Sequence, residues 1–359
     1  MTAAVAHPRL RPRHLLLVAP RTALAPLAEL LHAWREAGVQ VHVDTFERTP
    51  PADLPAAVAA SQTLLDAVLL VASARRAPST VLASPFAFGR DGRRVPLAWL
   101  PARSAASLSR FAATAARVHR RAGDRPALAL LGQWLPRYLH VSDRMRQISA
   151  ENGVRTFRWT GDAITRSSLV AAMGCGLGLG LYVGHGRAMG WVGYHGVRAH
   201  HFENPVELET PTAFGAEAEA EAEAEAEAEA EAEAEAEAEA EAVHTQVREP
   251  MGAILSLCCR TASRRRVSLS YAEALPLLGV AAASFGAIGD TLHSDNTRWA
   301  VGVCKALAEG ASTVGELLVA AAPASPSALA GYRLIGDPLA SLVCSPRSLR
   351  QAADVRTHA

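Results

Sequence analysis

Residues 181–186 read Leu-Tyr-Val-Gly-His-Gly, an apolar run that ends in a histidine held between two glycines. A short, continuous apolar run suits a strand buried on both faces of a parallel sheet. In open parallel sheets, ligand sites lie at the carboxyl ends of strands, where His185 stands. Its small neighbours leave room for a substrate backbone to approach. A second stretch has the same design: residues 254–260 read Ile-Leu-Ser-Leu-Cys-Cys-Arg, so an apolar strand delivers a thiol. A thiol at one strand end and an imidazole at the next is the arrangement nucleophilic thiol catalysis needs, because the base must reach the proton of the attacking sulfur. Backbone N–H groups at the two turns can receive an oxyanion. If Cys258 and Cys259 both lie on the strand they point to opposite faces, so only one faces the histidine. Cys259 is nearer the open end and is the better candidate. Taken singly, a strand-end histidine and a buried cysteine are ordinary structural residues.

Outward from these two stretches, apolar strands alternate with helical periodicity. Strands are expected at 14–18, 39–43, 67–71, 127–131, 154–159, 253–258 and 280–285, with a hairpin over 81–97 turning at Gly89-Arg90-Asp91-Gly92. Leu24, Leu27, Leu30, Leu31 and Trp34 recur on one helical face, with Thr22 as the expected cap and Gly38 as the stop. Leu108, Phe111, Ala115 and Val118 mark a second helix, and further helices are expected at 142–152, 166–173, 297–309 and 313–321. This alternation predicts an α/β fold, an α/β/α sandwich around a mostly parallel sheet. The pattern restarts at Asp124-Arg125-Pro126, which predicts two adjacent sub-domains, 1–124 and 125–345, followed by a tail at 346–359.

Composition narrows the function classes. Half of the 359 residues are apolar and a fifth are charged, as in soluble globular proteins. The net charge of +1 hides an asymmetry, since thirteen of the 35 acidic residues lie in one Glu-Ala tract within 216–242. The remaining surplus is nearly all arginine, with Lys305 the single lysine, and it is scattered except at Arg264-Arg265-Arg266. Scattered arginine is not a nucleic-acid footprint. The tract has no apolar face, and its glutamates repel one another at every i,i+4 spacing, so it reads as a low-complexity surface insert outside the core. Five cysteines form neither a disulfide framework nor a metal pattern. His195, His200 and His201 also lack the usual zinc spacing. No metal or other cofactor is expected. The apolar core at 15–18 is too short for a signal peptide, and no run is long enough to span a membrane. A cytoplasmic protein without membrane or nucleic-acid partners is the resulting expectation.

Gly184-His185-Gly186 followed by Trp191, and then a strand ending in Cys259, resembles the caspase-like (clan CD) cysteine peptidases, the gingipain type in particular. The segment at 94–103, Arg-Val-Pro-Leu-Ala-Trp-Leu-Pro-Ala-Arg, is similar to the one that closes the first gingipain sub-domain. Tyr271-Ala272-Glu273-Ala274, Gly279-Val280-Ala281 and Tyr332-Arg333-Leu334-Ile335-Gly336-Asp337-Pro338 continue the likeness, and residues 295–321 look like the tail of CHAT domains. The resemblance spans roughly residues 14–343. It implies a cysteine endopeptidase acting on protein or peptide substrates through a thioester. His185 would be the base and Cys259 the nucleophile, with the N–H groups of Gly186 and Cys259 as the oxyanion hole. Trp191 and the loop 290–296 would border the substrate cleft, where Asp290 and Asp295 could select a basic side chain. The sequence departs from the pattern in one place. Such families place a glycine soon after the cysteine, and Arg260-Thr261-Ala262-Ser263 contains none. That departure motivates a second reading, a catalytically inactive peptide-binding protein on the same fold. An acyl-transferring or deamidating enzyme with the same dyad is a third.

Overall fold

The apolar runs pair into one twelve-stranded sheet. The computed structural model describes residues 13–75, 84–123, 125–202, 248–264, 267–323 and 326–355, and the Glu-Ala tract lies outside the described residues. In the first half, β1 (Arg13–Pro20), β2 (Val39–Phe46), β3 (Ala67–Ser73), β4 (Phe86–Phe88) and β5 (Arg94–Ala102) stand at the expected strands and hairpin, of which residues 81–83 lie outside the described residues. In the second half come β6 (Arg125–Gly132), β7 (Arg155–Thr160) and β8 (Leu179–Val183). A small separate sheet follows, formed by β9 (Gly186–Arg187), β10 (Gly190–Trp191) and β11 (Val197–Arg198). The chain then returns to the main sheet with β12 (Met251–Leu257), β13 (Ala281–Ala287), β14 (Tyr332–Gly336) and β15 (Val343–Cys344).

The main sheet runs β15-β6-β8-β12-β13-β14-β5-β3-β1-β2, with β7 also on β6 and β4 also on β5. Most neighbours are parallel; β14 against β13, β15 against β6 and β4 against β5 are antiparallel. Strand alternation sends side chains to both faces. Leu128 and Leu130 of β6 join one apolar cluster, and Ala127, Ala129 and Leu131 join another. Helices Ala105–His119, Pro136–Glu151 and His293–Ala308 supply the first cluster, and Arg166–Ala172 and Tyr271–Leu277 the second. This is the expected α/β/α sandwich with a mostly parallel sheet.

The two halves share that sheet, meeting where β14 pairs with β5, Leu334 opposite Ala98 and Ile335 opposite Trp99. Buried polar groups close the seam on either side. Glu273 is fully buried and accepts from the Trp99 indole at 3.1 Å and the Arg264 Nε at 2.7 Å, while Arg264 also reaches the Ala74 carbonyl. Asp337 is also fully buried; its Oδ2 accepts from the Trp34 indole at 3.3 Å and lies 2.6 Å from His119 Nε2.

Several local expectations change. Thr22 is no cap: it lies in a 3-10 turn, Arg21–Ala23, and the helix Ala28–Glu36 begins only after Leu27. The helix expected at 142–152 begins at Pro136, because proline at the first helical position needs no N–H partner. Residues 346–353 of the expected tail form a helix, capped by the Ser345 hydroxyl on the Ser348 N–H.

Candidate active site

Four parallel strands, β6, β8, β12 and β13, stand side by side and release the chain at one sheet edge. Val183 lies opposite both Leu257 and Gly132, so the segments carrying Gln133, His185 and Cys259 leave at the same level. Cys259 is therefore flanked by the β8 turn on one side and the β13 turn on the other.

The β8 turn is held by its backbone. The His185 N–H donates to Gln133 Oε1 at 3.1 Å, and its carbonyl accepts from the Tyr182 hydroxyl at 3.0 Å and the Val192 N–H at 3.1 Å. The Tyr182 hydroxyl also accepts from the Gly193 N–H at 3.1 Å, and its ring stacks on Trp191 with centroids 4.5 Å apart. Gly186 has a separate task. A Cβ there would lie 2.6 Å from the Cys259 carbonyl oxygen, so only glycine lets the histidine turn lie against the cysteine turn.

The imidazole itself is exposed. Nε2 lies 2.6 Å from Arg137 Nη2 and 3.2 Å from the Tyr138 hydroxyl, and the Tyr138 ring meets the imidazole edge-on at 5.4 Å. A guanidinium only donates, so Nε2 presents its lone pair there and a neutral ring carries its proton on Nδ1. Partial burial, and then the Arg137 charge, hold the His185 pKa below the usual histidine value. His293 lies on the far side of Tyr138, at 5.7 Å between rings.

Cys259 is partly exposed and Cys258 fully buried; both follow Leu257, where β12 ends one residue before the expected strand end, so the turn and not strand alternation separates them. Burial pushes the Cys258 thiol far above the usual range, which leaves it inert. The Cys259 sulfur faces Thr291, whose N–H points at it from 3.4 Å and whose hydroxyl lies at 3.6 Å. The Thr291 hydroxyl accepts from Asn296 Nδ2 at 3.0 Å, and Asn296 Oδ1 in turn accepts from the Tyr332 hydroxyl. Because Asn296 donates to it, the Thr291 hydroxyl can turn its own hydrogen toward the sulfur. No hydrogen bond joins His185 to Cys259 among the described residues; in unliganded sites such contacts commonly tighten only around substrate.

The missing glycine has a structural answer. Arg260 itself adopts φ 62°, the left-handed conformation that favours glycine. Its N–H is held by the Gly289 carbonyl at 3.0 Å and its guanidinium by Asp290 at 2.6 Å. The turn after Cys259 thus keeps a glycine-like shape at a cost of about 1 kcal/mol.

Other candidates fall in different places. Trp191 is only 2% exposed, stacked on Tyr182 with its indole N–H on Ser256 Oγ at 2.9 Å, so it supports the site from the core. Asp290 and Asp295 border a pocket of about 130 Å³ with Thr291, Leu292 and Tyr332; neither His185 nor Cys259 lines it, and Thr291 is the residue it shares with the thiol's surroundings. Each is already paired, Asp290 with Arg260 and Asp295 with Arg298 at 2.9 Å. A larger cavity, about 220 Å³, is lined by Arg110, Arg117 and Arg248 among others, and neither His185 nor Cys259 lines it. Among the described residues, no group of three His, Cys, Asp or Glu side chains is placed to hold a metal, and no helix is long and apolar enough to cross a membrane.

Sequence reasoning missed Gln133, Arg137, Tyr138, Thr291, Asn296 and Tyr332. The first three follow from the sheet order and not from the sequence: β6 neighbours β8, so the residues following Gly132 also stand at a carboxyl strand end. In the loop 290–296 it is the threonine that meets the thiol, with the asparagine holding that threonine, and not the aspartates.

No protein-family model matches the sequence, and no curated protein matches it. Solved structures do. The crystal structure of the Arg-specific cysteine proteinase gingipain R aligns with a TM-score of 0.64 at 12% identity, over 92% of this chain and 78% of that one. The complex of the pro- and mature domains of RgpB from Porphyromonas gingivalis aligns at 0.61 with 13% identity, over 92% and 79%. A structure described only as a protease aligns at 0.59 with 12% identity, over 92% and 78%. The chain therefore has the fold of these cysteine proteinases, and at such identity the likeness concerns fold alone.

Proposed function

We propose that the protein is a cysteine peptidase, with Cys259 as nucleophile and His185 as general base. One observation carries this reading. Adjacent parallel strands, registered Leu257 to Val183, deliver a partly exposed thiol and an exposed imidazole at one sheet edge, with only a glycine between their turns. In the reaction His185 takes the Cys259 proton, and the sulfur attacks the peptide carbonyl carbon. The C–S bond forms as the carbonyl π pair moves onto oxygen, facing the N–H groups of Gly186 and Cys259. When the pair returns, the C–N bond breaks and the imidazolium gives its proton to the departing amine. Water, deprotonated by His185, then attacks the thioester; the C–S bond breaks and the thiol regains its proton.

Two features favour this reading over an inactive peptide-binding protein. Arg260 restores the turn that the absent glycine put in question, and Thr291 aims donors at the sulfur. Incubating the protein with a mixed peptide library is the test. Hydrolysis that disappears in Cys259→Ala supports the proposal. Peptide binding without hydrolysis or thioester would support the inactive reading.

A further inference from the structure

Helix Ala105–His119 places Arg110, Thr114 and Arg117 at i, i+4 and i+7, on one face. That face and Arg248 border the cavity of about 220 Å³. Pro250 and Val280, which lead into β12 and β13, also line it, so it lies at the amino ends of strands whose carboxyl ends lead to Cys259 and Thr291. Arg110, Arg117 and Arg248 are all exposed, and none pairs with a carboxylate among the described residues. Arg117 Nη1 donates to the Arg248 carbonyl at 3.4 Å, which holds the two arginines together. The Thr114 hydroxyl donates to the Arg110 carbonyl at 2.8 Å, so the free donors along this face belong to the guanidiniums. Glu249 is the carboxylate in the lining, and its charge also serves Arg121. Two glycines keep the wall open. A Cβ at Gly174 would lie 3.2 Å from Arg248 Cγ, and one at Gly279, where φ is +82°, would lie 3.0 Å from the Thr114 hydroxyl and 3.8 Å from Arg110 Cγ. Larger side chains there would crowd the arginine stems.

The opposite wall is apolar. Val170 and Met173 come from the end of helix Arg166–Ala172, Leu278 from just past helix Tyr271–Leu277, and Phe202 joins them. We propose that this cavity binds a phosphate monoester carrying a compact apolar body, such as an aryl phosphate, at a site separate from the dyad. The planar fork of a guanidinium matches phosphate oxygens. A phosphate monoester carries about −1.5 to −2 charges at neutral pH, and three arginines set against Glu249 leave a surplus that such a group matches. A bare inorganic anion would use only half of the lining. A ring held on the phosphate displaces water from Val170, Met173, Phe202 and Leu278, which is how pockets of mixed character gain both orientation and affinity. Neither His185 nor Cys259 lines the cavity, so this inference stands apart from the peptidase reading.

The test is a calorimetric titration of the full chain with phenyl phosphate, inorganic phosphate and phenol. We expect phenyl phosphate to bind one site per chain, about tenfold or more tighter than either of the others, and to weaken as salt is added. Arg110 and Arg117 are exposed, so Arg110→Ala and Arg117→Ala should keep the melting temperature of the unliganded protein while each loses about tenfold in affinity for phenyl phosphate. Leu278→Ser should bring phenyl phosphate down toward inorganic phosphate and leave the affinity for inorganic phosphate unchanged. Phenyl phosphate binding no tighter than inorganic phosphate, or binding that survives loss of both Arg110 and Arg117, overturns the inference. The thirteen glutamates within residues 216–242 are the chain's own competing anions, so the titration is repeated on a chain lacking that tract. Binding by both forms supports the site. Binding by the shortened chain alone would give the arginines to the tract and overturn it.

Discussion

The seam between the two halves and the strand-end site both use charged groups, in opposite ways. At the seam, Glu273 and Asp337 are fully buried, and each gathers donors from separate parts of the chain: Trp99, Arg264 and Ser270 for one, Trp34, His119 and Leu339 for the other. Their partners are fixed by packing. At the site, His185 and Arg137 are exposed, and the contact between them is open to solvent. The difference teaches where stability and chemistry reside. Buried polar pairs at the seam specify how the halves join, and removing one partner strands the other away from water. Exposed groups at the strand ends hold little of the fold and remain available for proton transfer.

That contrast is open to attack from both ends. The largest effect is expected at the seam. Glu273→Ala leaves Arg264 and the Trp99 indole without their acceptor and should cost about 3–5 kcal/mol in denaturant unfolding. Asp337→Ala should do the same through His119. A loss below about 1 kcal/mol in either would show that the seam is not where the halves are secured. His185→Ala should behave inversely, lowering turnover by about a thousandfold while the melting temperature scarcely moves. Loss of fold in that variant would make the histidine structural.

Smaller effects sharpen the site side. Thr291→Val keeps the backbone N–H on Cys259 but removes the hydroxyl, and should slow Cys259 alkylation by about tenfold, the worth of one charge-assisted hydrogen bond. An unchanged rate would leave the Tyr332–Asn296–Thr291 chain with a packing role only. Arg137 yields a pH signature. Burial and the Arg137 charge hold the His185 pKa down, so the neutral, active base persists to lower pH than usual. Arg137→Ala removes one of these two causes, the pKa rises, and the acid limb of kcat/KM should move to higher pH. A limb that moves to lower pH would contradict the placement of Arg137 on the base.

The sheet was largely legible in the sequence because its central strands are continuous apolar runs. Residues 254–257 and 179–183 could hardly be anything but buried strands, and β8 and β12 are buried throughout. Elements that break that rule were less legible. The segment Tyr332–Gly336 carries Arg333 in its middle, yet it is a buried strand, and Tyr271–Leu277 holds Pro276 within a helix. The two-residue strands β9 to β11 are too short for any periodicity. At the site, His185 and Cys259 were marked by their own neighbours, a glycine pair and an apolar strand. Arg137 had no such mark. It lies 48 residues before His185, and only the β6–β8 pairing brings the two together. The place of Trp191 was illegible for a related reason: an aromatic close after a strand-end histidine fits a cleft or a core, and its burial and stacking on Tyr182 favour the core.

The central claim is that the edge between β8 and β12 exposes one thiol for chemistry and buries its neighbour. Brief iodoacetamide treatment at neutral pH, followed by mass-spectrometric mapping of the modified residue and assay of the same samples on peptides, tests it directly. Cys258 is fully buried and its thiol is held far above the usual range by that burial, whereas Cys259 is partly exposed with donors aimed at its sulfur. The account predicts that the label appears first on Cys259, that peptide hydrolysis falls in proportion to it, and that Cys258→Ala still hydrolyses while Cys259→Ala does not. Hydrolysis surviving in Cys259→Ala, or label accumulating on Cys258 while Cys259 stays unmodified, would contradict it.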